Sequence, residues 1–102
     1  MYSRTFRYKV RSERLSEAVA LIREMDSIMR SYSVEFKKLT LIREAEGEAV
    51  LLEIYLFESW NDWRELMKRT QDDEKLEKMW QMFESIVEGG ILEEDWEAVS
   101  WS

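Results

Sequence analysis

Apolar and polar residues alternate along this chain with a period that changes several times, and each change marks an element. From Tyr2 to Val10 the period is two. Tyr2, Phe6, Tyr8 and Val10 share one face with Arg4 among them, and Ser3, Thr5, Arg7 and Lys9 share the other. That pattern predicts a strand. Ser12 follows as a helix cap with Glu13 in its first turn. Leu15, Val19, Ile22, Met25, Met29 and Tyr32 then recur at three- and four-residue steps, which predicts a helix through about Ser31. Val34 to Glu44 reads as a second strand. Val34 and Phe36 set one parity and Leu39 and Leu41 the other, so a bulge near Lys37 and Lys38, or a strand buried on both faces further along, is expected. A hairpin turn centres near Gly47.

Ala49 to Glu58 is apolar on both faces. Val50, Leu52, Ile54 and Leu56 make an aliphatic side, and Leu51, Glu53, Tyr55 and Phe57 make the other. Such a strand belongs in the middle of a sheet covered on both sides. Ser59 caps the next helix, with Asp62 in its first turn and Trp63, Leu66 and Met67 on its apolar side. A later stripe holds Leu76, Met79, Trp80, Phe83, Ile86 and Val87. The nine steps from Met67 to Leu76 put the two stripes about half a turn out of phase. The helical region must break between Thr70 and Asp73, with Asp72 as a second cap. Gly89 and Gly90 are expected to end the second helix, and a last strand runs from Ile91 to Trp101.

The order is βαββαβ, the split βαβ or ferredoxin-like arrangement, an α+β fold with an antiparallel four-stranded sheet ordered 4-1-3-2. Two helical layers cannot cover both faces of that sheet. The aliphatic side of the third strand is expected to meet the helices, which leaves Leu51, Tyr55 and Phe57 on the open face. Wetting large apolar side chains forfeits about 1.5–3 kcal/mol each. A homodimer packed sheet to sheet is the expected cover.

Composition narrows the chemistry. The chain has 102 residues, the size of one domain, so residues 1–102 are read as a single unit. It has no cysteine and no histidine, which removes disulfides, thiolate nucleophiles, Ser-His-Asp triads and histidine-held zinc or haem. No metal and no cofactor is expected. The net charge of −7 repels phosphate backbones, so nucleic acid is not expected as a partner. No apolar run reaches membrane-spanning length, and no signal segment is recognised at the N-terminus, so no membrane is expected and a cytoplasmic location is the default reading. Charged residues make up 36% of the chain against one asparagine and two glutamines, a balance like that of thermophile proteins.

The stretch "LLEIYLFESWNDWRELMKRTQDDEKLEKMW" is a strand ending in Phe-Glu-Ser, a short helix with tryptophan, an acidic break and a further helix with tryptophan. Together with the element order it resembles the dimeric α+β barrel superfamily, which includes antibiotic-biosynthesis monooxygenases, haem-degrading monooxygenases and NIPSNAP-like proteins. The resemblance spans nearly the whole chain. It implies a cavity beside Trp63, where haem-degrading members place a tryptophan. Those members use a histidine as haem ligand and an asparagine on the first strand, and neither has a counterpart here. Cofactor-free monooxygenase members use Asn and Trp near this joint to handle an aromatic substrate. Asn61 and Trp63 are the nearest equivalents.

Two readings stand for each candidate site. Glu53, the one acid on an otherwise apolar face, is a proton-transferring base of raised pKa or the partner of an ion pair with Arg7. Asn61 is the other candidate for assisting proton transfer. Tyr55, Phe57, Trp60 and Trp63 line an aromatic ligand cavity or form core, with Trp60 as its rim. Arg4 stacks on a ring or lies near a strand end. Two roles follow for the whole protein. It binds or oxidises a flat aromatic or quinone-like molecule without metal, or it is a non-enzymatic dimeric barrel acting in binding or assembly.

Overall fold

The computed structural model describes residues 1–99. Among the described residues, four strands form one antiparallel sheet: β1 (Tyr2–Arg11), β2 (Lys37–Ala45), β3 (Glu48–Phe57) and β4 (Glu88–Glu97). The spatial order β2-β3-β1-β4 is the expected 4-1-3-2 read from the other edge. Three helices, α1 (Leu15–Arg30), α2 (Trp60–Thr70) and α3 (Glu74–Ile86), pack on one face. This is an α+β ferredoxin-like fold.

The expected break in the second helical region lies between α2 and α3. Ser59 caps α2 by accepting from the Asp62 N–H. Asp73, not the expected Asp72, caps α3 by accepting from the Leu76 N–H at 2.9 Å. Its carboxylate also accepts from the Tyr32 hydroxyl just past α1, which ties the break to that helix. Ser12 lies in a 3-10 turn (Ser12–Arg14) ahead of α1 and makes no side-chain cap there.

Two strand boundaries differ from the sequence pattern. Val34 and Phe36 precede β2 and are buried with Tyr2, Tyr55, Phe57 and Leu66, so the change of parity marks the entry into the strand. β2 itself pairs with β3 in unbroken register. Gly89 and Gly90 do not end a helix; α3 stops at Ile86 and the two glycines lie inside β4. They have φ of 77° and 94° where the β1–β4 register shifts between Arg7 and Lys9. A bulge of that conformation is open to glycine at little steric cost. Of the expected last strand, Ser100 and Trp101 lie outside the described residues.

The larger correction concerns which face of the sheet is covered. Ala49, Leu51, Glu53, Tyr55 and Phe57 point to the helices and are buried, whereas Val50, Leu52 and Ile54 lie on the open face. The expectation had these reversed. The reason is register. Phe6 lies opposite Glu53 and Tyr8 opposite Leu51, and directly paired residues point to the same face. The other face of β1 is Ser3, Thr5, Arg7 and Lys9, so its aromatic face must go to the core and takes the aromatic face of β3 with it.

The core falls into two clusters. One gathers Tyr8, Val10, Leu51 and Phe83 with the buried side of α1, and the other gathers Tyr2, Phe36, Tyr55, Phe57 and Leu66. Edge-on rings pack within each, as in Tyr8 against Phe83 at 4.7 Å and Phe6 against Tyr55 at 5.7 Å between centroids, and Phe6 against Trp80 at 6.2 Å joins the two.

Candidate functional site

A cavity of about 450 Å³ lies between the helices and the sheet, lined by side chains from both core clusters. Its floor is Phe6, Tyr8, Glu53 and Tyr55 from β1 and β3. Its roof includes Met25 and Met29 of α1, Trp63 and Met67 of α2, and Leu76 and Trp80 of α3. The helical break matters here, because α2 and α3 each turn a tryptophan toward the same space. The volume suits a molecule of two or three fused rings.

A polar network stands behind one wall, where Tyr8, Glu53 and Tyr55 line the cavity and Asp26, Lys38 and Thr40 lie outside it. Tyr8 donates its hydroxyl proton to Glu53 Oε2 at 2.7 Å, and the Thr40 hydroxyl donates to Oε1. Lys38 Nζ stands 3.3 Å from the same Oε1, 2.5 Å from Asp26 Oδ2 and 3.0 Å from the Tyr55 hydroxyl. Tyr55 in turn donates to Asp26 Oδ1 at 2.5 Å. Glu53 is 1% exposed, so its carboxyl group is held by two hydroxyl donors and the Lys38 ion pair instead of bulk water. Burial, together with the nearby Glu53 and Asp26 carboxylates, pushes the hydroxyls of Tyr8 and Tyr55 far above the usual tyrosine value. Both stay protonated and act as donors to those carboxylates.

The expected Glu53–Arg7 pair does not form. Arg7 lies opposite Leu52 on the open face and is exposed, one side of the sheet away from Glu53. The partners that Glu53 does have come from β1 and β2, on the face it shares with Tyr8 and Thr40. Tyr55 and Trp63 line the cavity. Phe57 is fully buried against Trp63, Phe36 and Tyr2 and sits behind the cavity wall. Trp60 is half exposed, stacks with Arg64 at 4.8 Å and is not part of this cavity. Asn61 is exposed on the first turn of α2 and also lies off the cavity. Arg4 stacks over Trp63 at 5.2 Å and pairs with Glu93 at 2.7 Å.

Sequence reasoning missed Lys38, Thr40, Asp26 and Trp80. A signal existed for two of them. Lys38 and Thr40 share one parity of β2 while Leu39 and Leu41 take the other, so two polar side chains had to share a face with whatever β3 presents there.

No family model matches the chain, and no curated protein matches it. Solved structures do. A NIPSNAP family protein of unknown function from Agrobacterium tumefaciens superposes with a TM-score of 0.75 at 14% identity, over 100% of this chain and 91% of the other. An antibiotic biosynthesis monooxygenase gives 0.69 at 12% identity, over 98% and 100%. This is the fold of the NIPSNAP and antibiotic-biosynthesis monooxygenase proteins. A de novo designed protein shares it too, with a TM-score of 0.66 at 13% identity over 95% and 97%. A fold that is also reached by design assigns no activity, so function has to be argued from the site.

Proposed function

We propose that the protein binds a flat aromatic small molecule in the cavity between the helices and the sheet. The observation that carries this reading is the cavity itself, with indole, phenol and phenyl rings and methionine side chains around one space of about 450 Å³. The reading is of binding rather than oxidation. Glu53 already accepts from Tyr8 and Thr40 and is paired with Lys38, which leaves it poorly placed to take a substrate proton. Asn61 lies outside the cavity. The test is a thermal-shift and tryptophan-fluorescence screen against a broad panel of two- and three-ring aromatics. A ligand at a hundred times its Kd adds about 2.7 kcal/mol. That raises the Tm by about 10–20 °C in a domain of this size. No shift and no fluorescence change across the panel would refute the reading.

The same proposal includes a homodimer through the open sheet face. Leu39, Leu41, Leu92 and Trp96 are each about half exposed there, beside Leu52 and Ile54. Four strands spaced about 4.8 Å apart and rising about 3.3 Å per residue make a face of roughly 600 Å². Two such faces together reach the lower range of stable interfaces. Light scattering should give a particle of twice 12.4 kDa. Leu41→Lys should give the monomer, and a wild-type monomer at micromolar concentration would end this part of the proposal.

A further inference from the structure

Resting on the binding reading above, we infer that the cavity selects a positively charged aromatic ligand, an aryl-alkyl ammonium, over neutral and anionic molecules of the same shape. Among the described residues, the cavity wall carries four carboxylates, those of Glu53, Asp73, Glu77 and Glu93, and no lysine or arginine. Three of the four are partly offset by cations that do not line the cavity. Lys38 faces Glu53 and Arg4 faces Glu93, and neither cation lines the cavity. Asp73 takes its hydrogen bonds from the Tyr32 hydroxyl and from the Leu76 and Lys75 amides, and the nearby Lys75 charge, outside the cavity wall, offsets it in part. Glu77 is exposed at the edge.

The supply of donors inside is equally one-sided. The hydroxyl proton of Tyr8 is given to Glu53 and that of Tyr55 to Asp26. Thr70 gives its own to the Leu66 carbonyl. What these side chains still offer a ligand is acceptor lone pairs. The remaining side-chain donors are neutral: the Gln71 amide and the indole N–H groups of Trp63 and Trp80. A carboxylate or phenolate would face four negative groups and find no cation among the residues that line the cavity. A quinone, which only accepts, would compete for few donors. An ammonium would find acceptors on both the sheet and the helix side of the cavity, with Glu53 and Glu93 on the strands either side of Phe6, while its ring packs among Phe6, Trp63 and Trp80. The rings of this chain already attract cations in this way, as Arg4 does over Trp63.

The experiment uses the full chain and three probes with one skeleton: 1-naphthylmethylammonium, 1-naphthylmethanol and 1-naphthylacetate. Affinities are measured by calorimetry at pH 7 in low salt. The ammonium should bind about tenfold tighter than the alcohol, a difference of about 1.4 kcal/mol, and the carboxylate should show no binding at the same concentrations. Glu77→Gln should cut the ammonium preference several-fold, and Glu44→Gln, the same charge change on an exposed residue away from the cavity, should leave it intact. If the alcohol or the carboxylate binds as tightly as the ammonium, the charge selection is wrong and the binding reading stands. If Glu44→Gln lowers the preference as much as Glu77→Gln, the ammonium is responding to the net charge of the surface and the inference is overturned. If none of the three binds, the cavity reading and this one fail together.

Discussion

Replacing Lys38 by methionine tests the polar network at its hinge. Lys38 Nζ reaches Asp26 at 2.5 Å and Glu53 at 3.3 Å, and its side chain is 9% exposed. Methionine keeps most of the apolar stem, so little packing is lost. What is lost is the charge that stands between two carboxyl groups. Removing one partner of a buried pair costs about 3–5 kcal/mol, because the other charge remains buried without it. Set against a total stability of about 5–15 kcal/mol, that is a large fraction. The Tm should fall by at least about 12 °C, taking about 4 °C per kcal/mol. Urea unfolding at pH 7, followed by tryptophan fluorescence, reads the loss as a lower midpoint with unchanged slope. Adding Asp26→Asn and Glu53→Gln to Lys38→Met removes the stranded charges and should recover more than half of the loss. A cost under about 1 kcal/mol for Lys38→Met, the range of exposed pairs, would refute the reasoning. So would a triple variant no more stable than the single one.

Alkaline stability should report Tyr8 and Tyr55. Burial, reinforced by Glu53 for Tyr8 and Asp26 for Tyr55, raises both hydroxyls above the usual 10.0. The folded state therefore holds these protons more firmly, and the stability they give is complete below pH 10 and is lost as pH rises above it. Each should add about 1.4 kcal/mol per pH unit to the decline, and Tyr8→Phe should lower the slope measured by urea melts between pH 10 and 12 by about that amount. Phe83→Ala, at a side chain 1% exposed and packed on Tyr8, should cost about 3–5 kcal/mol in the same melts. Ser59→Ala removes the cap of α2 and should cost about 1 kcal/mol, with the loss recovered in Ser59→Asp.

Part of the candidate site is legible in the order of the amino acids. Trp63 and Tyr55 stand out as rings near a strand-to-helix joint, and the phase mismatch between Met67 and Leu76 predicts the break that brings Trp63 and Trp80 over one space. Glu53 stands out as the one acid on its face, and the parity of Lys38 and Thr40 marks a polar side of β2, but their meeting with one another and with Asp26 is not legible there. Asp26 comes from α1, Lys38 and Thr40 from β2, and Glu53 from β3. No local spacing links residues that meet only when a helix is laid across two paired strands.

The chain's own periodicity determined the element order, the antiparallel sheet and the central place of β3. Local pattern is enough for these, because period two and period 3.6 are properties of one segment. Which side of β3 went inside was decided by the tertiary structure. A strand apolar on both faces reads the same when it is turned over, so its own residues cannot orient it. The partner strand broke that symmetry. With Ser3, Thr5, Arg7 and Lys9 on one side of β1, cross-strand pairing carried Leu51, Glu53, Tyr55 and Phe57 to the helices and left Leu52 and Ile54 on the open face.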